Sequence, residues 1–364
     1  MPDRRRRRAV ISGYVVKLIR ESLLLSQDAL AERLAVDRGT VQGWESGRRS
    51  LTALSVEQST GLRHRLAVLG AKAELLGLLD DAALADYLLA SLLLPDLRRE
   101  NLPQHPVGWV VMTRSVMEMI EWPVTGRVPD PLRSAERAGP RRRGPVAESP
   151  SLDRPEIDIL ARNLRSMQEW SSGSGLSDVL LRRQARFLGA LHDRSGATEP
   201  DTRRSVVPGG SGWSLLWAEA RSAAASKARH GDPEPLRHFI AATQGDDRCE
   251  LAGLNYEAYW IGEVSPRQND DRFMMDAGLG WRGHRLLRHL VERVDGRRHF
   301  VDLSIHTLWA LLAARPGLLR DDPVAARSLY RRGQIAIDSD EISRQSRWEL
   351  EAIMYGLRIE GLAN

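Results

Sequence analysis

Two signals for the start of a helix, eleven residues apart, constrain the fold of this chain more than any other feature. Ser26 and Asp37 are residue types whose side chains accept a hydrogen bond from an otherwise unpaired N–H in the first turn of a helix. Apolar residues with helical spacing follow each signal, namely Leu30, Ala31 and Leu34 after the first and Val41 and Trp44 after the second. Gly47 lies where the second helix would end, because glycine readily adopts the left-handed backbone of a helix C-terminus. The segment therefore predicts two short helices joined by a tight turn.

An amphipathic segment at residues 14–21 precedes these helices and predicts a third one. Two short helices bury little apolar surface by themselves, so the third helix is needed to close a core. Three helices with this spacing predict a helix-turn-helix inside a small helical domain. Apolar residues between Leu51 and Gly70 are expected to supply a fourth and a fifth helix of the same domain.

The combined spacing of these residues resembles that of a known family. The matching elements are Ser26-Gln27, Leu30-Ala31, Val36, Thr40-Val41, Trp44-Glu45 and Gly47-Arg48. Together they are typical of the Cro/repressor-like helix-turn-helix family, also called the Xre family, and the resemblance covers roughly residues 11–70. The sequence departs from the family at Ala35, where the turn usually has glycine. If the turn needs a positive φ, an alanine there is strained by about 1 kcal/mol.

The resemblance implies an N-terminal five-helix domain that binds double-stranded DNA, and a bacterial or phage origin. The helix from about Arg38 to Glu45 would then enter the major groove. On this mapping Gln27 contacts a phosphate or supports the first base-reading residue. The residues that would face base edges are Arg38, Gly39, Gln42 and Gly43, and those suited to phosphate contacts are Thr40, Arg48 and Arg49. Because two of the four base-facing positions are glycine, we expect modest specificity or a reliance on DNA shape.

The distribution of charge agrees with a nucleic-acid partner. Residues 1–50 contain eleven Lys and Arg against six Asp and Glu, which accounts for the whole net charge of +5. Basic charge concentrated on one small domain is the electrostatic signature of a nucleic-acid-binding protein. The arginines at 4–8 belong to a basic arm, residues 1–10, which is expected to be disordered. The arm either contacts DNA beside the docked helix or adds only non-specific affinity, and the sequence leaves both interpretations open.

The rest of the chain is predicted to be helical, which makes the fold class all-α. After the helix-turn-helix domain (11–70), apolar spacing continues through a helical connector (71–122). The connector is either a dimerisation region or part of an intramolecular core. A Pro- and Arg-rich segment (123–155) reads as a linker or a surface loop. A larger α-helical sensing or assembly domain (156–364) follows, with helix-start signals such as Asp322 before Pro323.

No constellation of residues in the sequence predicts catalysis, a metal site or a cofactor, so an enzyme is not expected. A single cysteine, Cys249, excludes an intramolecular disulfide and a thiolate metal cage and fits a reducing compartment. No apolar run is long enough to span a bilayer, and no signal peptide is visible. The expected location is the cytoplasm, without membrane attachment.

An aromatic cluster in the C-terminal domain is the one candidate for binding a small molecule or peptide. Its members are Tyr256, Tyr259 and Trp260, with Trp309 as a neighbouring wall. Aromatic residues at helical spacing can line a pocket, but they more commonly fill a core. The sequence thus predicts a dimeric transcriptional regulator whose C-terminal domain senses an effector or mediates assembly. The alternative is a protein-interaction adaptor, or an antitoxin-like repressor, whose C-terminal domain binds a protein partner.

Overall fold

A computed structural model describes residues 10–133, 149–171, 175–190, 213–295, 299–339 and 341–362. These residues form α-helices, short 3-10 helices and loops, and none of them lies in a strand, which confirms the all-α prediction. The α-helices are α1 (Val10–Ser22), α2 (Gln27–Leu34), α3 (Arg38–Glu45), α4 (Val56–Val68), α5 (Ala73–Leu92), α6 (Arg114–Thr125), α7 (Arg154–Trp170), α8 (Leu176–Gly189), α9 (Trp213–Arg229), α10 (Glu234–Thr243), α11 (Asp247–Trp260), α12 (His284–Arg293), α13 (Val301–Ala314), α14 (Leu318–Asp321), α15 (Pro323–Ile337) and α16 (Arg344–Ile359). The 3-10 helices are Leu51–Ala53, Arg99–Gln104, Pro106–Gly108, Asp130–Leu132 and Asp271–Met275.

The chain divides into two compact units. The N-terminal unit comprises Met1–Val107 and Arg114–Trp170, and the C-terminal unit comprises Gly108–Thr113 and Ser171–Asn364. The predicted basic arm, apart from its last residue, and the centre of the predicted linker, residues 134–148, lie outside the described residues. The domain boundaries expected at residues 70, 122 and 155 remain predictions.

The N-terminal unit is built around α1. Its apolar side chains are buried along most of the helix because it packs against α3 on one side and against α5 on another. The buried carboxylate of Asp86 in α5 accepts hydrogen bonds from the backbone N–H groups of Ile11 and Ser12, at 3.0 and 2.8 Å. Those N–H groups lie in the first turn of α1 and have no partner within the helix. Asp86 therefore joins α5 to the start of α1, so α5 packs on the helix-turn-helix within one unit.

Helix α7 completes this unit at the C-terminal end of α5. The side-chain amide of Asn163 donates hydrogen bonds to the carbonyl oxygens of Leu92 and Leu94, both at 2.8 Å. These carbonyls lie at the C-terminal end of α5, where backbone acceptors lack helical partners. Tyr14 and Trp122 meet edge to face, with ring centroids 5.1 Å apart, and bring α6 against α1.

The C-terminal unit is centred on α13, which packs against α10, α11, α12 and α16. Two helical hairpins, α12 with α13 and α15 with α16, stack through contacts of α12 with α15 and of α13 with α16. The carboxylate of Asp322 accepts a hydrogen bond from the N–H of Ala325 at 3.0 Å and begins α15, as its position before Pro323 predicts. None of the helices in the described ranges is long and apolar enough to cross a membrane.

Candidate functional site

The turn between α2 and α3 has the geometry that the sequence predicts. The hydroxyl of Ser26 accepts a hydrogen bond from the N–H of Ala29 at 3.1 Å and begins α2. Ala35 ends this helix with φ 53° and ψ 48°, the left-handed conformation that favours glycine. Ala35 therefore has the positive φ at which an alanine is strained. Asp37 lies at the N-cap position of α3, but its exposed side chain makes no capping hydrogen bond, which corrects the expectation for that residue.

One side of α3 is buried and another is exposed. Val41 and Trp44 are buried, which confirms the prediction that they belong to the core. Arg38 and Gly39 are exposed, and Gln42 is half-buried. The guanidinium of Arg38 forms an ion pair with Asp28 of α2, with Nε and Oδ1 3.3 Å apart and both side chains mostly exposed. An exposed pair of this kind is worth little in stability, so Arg38 can exchange Asp28 for another acceptor at small cost.

Arg49 lies over α3 although it follows that helix in the chain. Its backbone N–H donates to the carbonyl oxygen of Gly43 at 2.9 Å, and its Nη1 donates to the hydroxyl of Thr40 at 2.7 Å. A Cβ atom placed on Gly43 would come within 3.0 Å of Cγ and Cδ of Arg49. Gly43 is accordingly buried beneath the stem of this arginine. The neighbouring Arg48 is exposed and donates from Nε to the hydroxyl of Ser46 at 3.1 Å.

The remaining predicted site residue, Gln27, points to the inside of the domain. Its amide donates to Oε2 of Glu45 at 2.7 Å, and Glu45 is buried at the end of α3. Nε of Arg20 donates to Oε1 of the same carboxylate at 2.5 Å, while Nη1 of Arg20 donates to the carbonyl oxygen of Leu25 at 2.9 Å. One carboxylate thus holds α1, α2 and α3 together.

Glu45 and Gly13 are two residues whose importance sequence reasoning missed. The sequence shows Trp44-Glu45 only as a family element, and nothing in the spacing pairs Glu45 with Arg20. Gly13 lies in α1 where the helix passes the end of α3, and a Cβ atom there would overlap the carbonyl oxygen of Trp44. The two helices approach each other closely only because residue 13 has no side chain.

The aromatic residues predicted to bind a ligand have different neighbours in the C-terminal unit. Tyr259 is buried, and its hydroxyl donates to the carbonyl oxygen of Val111 at 2.5 Å. Tyr256 is buried beside the guanidinium groups of Arg183 and Arg221, whose central carbons lie 5.6 and 4.5 Å from the ring centroid. Trp260 stacks on Tyr256, with ring centroids 6.4 Å apart.

Trp309 lies away from these rings, on α13. It packs against Trp348 of α16, with ring centroids 5.3 Å apart. The four predicted residues therefore do not surround one cavity, and their assignment to a ligand remains a prediction.

A small cavity of about 30 Å³ lies elsewhere in the C-terminal unit, between α9, α10, α11 and α13. Its polar wall contains Arg221 paired with Glu257, and His306 beside Glu250. Trp217 also lines it, and the indole N–H of this buried residue has no hydrogen-bond partner among the described residues. Gly253 of α11 faces Trp217, and a Cβ atom on Gly253 would still be 3.9 Å from the indole ring. A space of this size holds a water molecule or a small group of a ligand.

His306 lines this cavity and has a clearly perturbed pKa. Burial by itself lowers the pKa of the imidazole, but hydrogen bonds and negative charge from Glu250 and Glu349 raise it to about 9. Nε2 lies 3.3 Å from a carboxylate oxygen of Glu250, and Nδ1 lies 2.8 Å from one of Glu349. The imidazole is therefore positively charged at neutral pH, with both nitrogens donating.

Comparison with known proteins identifies one part of the chain. Residues 16–58 match the family model described as helix-turn-helix, which covers α2, α3 and parts of α1 and α4. The C-terminal unit has no counterpart in that match. No curated protein and no solved structure matches the chain.

Proposed function

We propose that the protein regulates transcription by binding a two-fold operator as a homodimer. The premise is that residues 16–58 form a helix-turn-helix domain of the Cro/repressor-like family. The domain makes the chain a DNA-binding regulator. The operator, the dimer and the effector are the further parts of the proposal. The proposal includes no catalytic step, and it places the protein in the cytoplasm.

The observation that carries the proposal is the exposure of one side of a rigidly held α3. Glu45, Trp44 and Val41 fix the helix against its neighbours, while Arg38 and Gly39 are exposed. A helix held in this way enters the major groove without rearrangement, so little conformational entropy is lost on binding. Arg38 can pair with guanine and Gln42 with adenine through two hydrogen bonds each.

Selection of genomic DNA fragments by the purified chain tests the proposal. The wild type is compared with the double variant Arg38→Ala, Gln42→Ala. A matched control is Arg327→Ala, Gln334→Ala, which removes the same two residue types from exposed positions on α15. We expect a selected motif with the wild type and the control but not with the α3 variant. Binding without any motif, lost at moderate salt in all three proteins, would contradict the proposal.

The homodimer is tested on the same fragments. A dimer of helix-turn-helix domains places its half-sites about one helical turn apart, roughly 34 Å along the DNA. We therefore expect a palindromic motif with that spacing, and a dimer mass in analytical ultracentrifugation. A single half-site bound by a monomer would contradict this part of the proposal.

We place the effector in the cavity lined by Trp217, Arg221 and His306 rather than among the predicted aromatic residues. The cavity combines an aromatic wall with paired charges and an unpartnered indole N–H, which are groups that orient a small polar ligand. Gly253→Ala adds a methyl group to this space. The control is Gly356→Ala, because a Cβ atom at residue 356 would have no neighbour within 4 Å. Metabolite extracts that shift the melting temperature of the wild type and of Gly356→Ala, but not of Gly253→Ala, would support an effector there. An equal shift in all three proteins would contradict it.

The second candidate is a protein-interaction regulator, favoured by exposed apolar residues on α16. Trp348, Tyr355 and Ile359 are 55%, 62% and 68% exposed and are seven and four residues apart along the helix. This spacing places them on one side of α16, where a partner helix could cover them. A partner that co-purifies with the wild type but not with Trp348→Ala, Tyr355→Ala, in the absence of any small ligand, would favour this function.

A further inference from the structure

We propose that Arg49 reads a base, and that it supplies from the loop after α3 the long side chain that Gly39 and Gly43 do not provide. The inference rests on the proposed function, since it concerns the same DNA-binding surface. It changes the role of Arg49, which the family resemblance places among the phosphate contacts.

The path of the side chain is the first argument. Arg49 starts beyond the end of α3, with its N–H bonded to the carbonyl oxygen of Gly43. Its Cγ and Cδ pass over Gly43, within 3.0 Å of the position that a Cβ atom would occupy. Its Nη1 then reaches the hydroxyl of Thr40, one helical turn towards the start of α3. The guanidinium is thereby directed along the helix to its N-terminal part.

The surroundings of that part of α3 are the second argument. The N-terminal residues of a recognition helix are those that meet base edges in the major groove. A Cβ atom placed on Gly39 would have no neighbour within 4 Å among the described residues, so the surface at this position is open. The exposed Gly39 lets the helix come close to the DNA, while Gly43 accommodates the stem of Arg49, whose guanidinium is left as a long group at the surface of the helix.

The chemistry of the guanidinium is the third argument. Thr40 accepts from Nη1, and this bond restrains the direction of a group that has five N–H donors. A fixed donor edge matches the two acceptors O6 and N7 of guanine. A phosphate contact does not require a fixed donor edge, because a lysine binds phosphate as a point charge. Arg48, which is exposed and donates to Ser46 within its own turn, is the residue suited to that role.

Selection from random duplexes tests the inference with the full-length chain. The variants are Arg49→Lys, which keeps the charge but loses the planar donor edge, and Thr40→Val, which removes the hydroxyl that orients Arg49. Arg48→Lys is the matched control. We expect the wild type and Arg48→Lys to select guanine at one position that Arg49→Lys no longer distinguishes, with a loss of discrimination of about tenfold or more.

The Thr40→Val variant separates orientation from charge. It should weaken the preference at that same position, and it should have no further effect on base preference when combined with Arg49→Lys. Circular dichroism checks that every variant folds, which we expect because these side chains are at the surface.

Three outcomes would overturn the inference. If Arg49→Lys or Arg49→Ala weakens all sequences equally, Arg49 contacts a phosphate. If Arg49→Lys keeps every base preference of the wild type, Arg49 does not read a base, and the proposed function stands without it. If the wild type itself selects no motif, the proposed function fails, and the inference fails with it.

Discussion

The carboxylate of Glu45 at the end of α3 accepts a hydrogen bond of 2.5 Å from Nε of Arg20 in α1, and its side chain is fully buried. The same carboxylate accepts from Gln27 of α2. One buried carboxylate therefore joins the proposed recognition helix to both preceding helices.

We predict that Glu45→Ala destabilises the domain by about 3 kcal/mol, because it leaves the guanidinium of Arg20 without its partner in a mostly buried position. Glu21→Ala is the matched control. Glu21 also lies near Arg20, at 3.5 Å, but it is more exposed, so its removal should cost less than about 1 kcal/mol. Urea unfolding of both variants measures the difference. If both variants lose the same free energy of unfolding, burial of Glu45 does not strengthen its ion pair with Arg20.

Ala35→Gly should stabilise the domain by about 1 kcal/mol, because the left-handed conformation of residue 35 strains a Cβ atom but not a glycine. The gain is reduced by the greater freedom of glycine in the unfolded chain. Ala29→Gly, in the helical part of α2, is the control and should lose about 0.5–1 kcal/mol. A loss of stability in Ala35→Gly, measured by thermal unfolding, would contradict the strain.

Gly13→Ala should destabilise the domain and reduce DNA binding together. A Cβ atom there meets backbone, the carbonyl oxygen of Trp44, which cannot move aside as a side chain can. The helices must separate, and the cost of such overpacking is about 1–3 kcal/mol. Gly77→Ala in α5, where a Cβ atom has no neighbour within 4 Å, is the control and should be neutral or stabilising. Wild-type stability in Gly13→Ala would show that the two helices are not in close contact.

Asp86 should make the stability of the N-terminal unit depend on pH. Burial raises the pKa of its carboxyl group to about 7, despite the hydrogen bonds that it accepts from Ser12 and Ile11. Because the folded pKa exceeds the unfolded value of 3.8, the stabilising contribution is complete below about pH 4 and is lost as the pH rises through about 7. The free energy of unfolding of the wild type, relative to that of Asp86→Asn, should therefore fall between pH 4 and pH 7. Hydrogen exchange of the α1 amides measures this free energy in both proteins. If the difference between the wild type and Asp86→Asn does not change with pH, a raised pKa of Asp86 is excluded.

His306 should cause a second dependence on pH, in the C-terminal unit. Its pKa is raised from 6.5 to about 9, so the protonated imidazole stabilises the folded state fully below about pH 6.5, and this contribution is lost as the pH rises through about 9. The free energy of unfolding relative to that of His306→Gln should fall across that interval. Glu250→Gln leaves one carboxylate, Glu349, and should lower the pKa that NMR titration reports for His306. An unchanged pKa would show that Glu250 does not contribute.

Local sequence patterns predict most of the structure of residues 26–47, apart from the capping hydrogen bond of Asp37. Ser26 begins α2, and the left-handed turn falls at Ala35, where the family has glycine. Val41 and Trp44 are in the core because residues three apart lie on one side of a helix. The all-α class followed in the same way, since helix-start signals and helical spacing are properties of neighbouring residues.

Contacts between residues far apart in the chain could not be predicted from local patterns. Asp86 reaches α1 across a separation of 75 residues, Glu45 pairs with Arg20, and Arg49 folds back over Gly43. In the C-terminal unit, Gly253 and Glu250 of α11 line the cavity, whereas the aromatic residues of the same helix do not. Spacing gives the side of a helix on which a residue lies, but it does not give the helix that packs there. That choice depends on how all the apolar surfaces are buried at once, which no local pattern encodes.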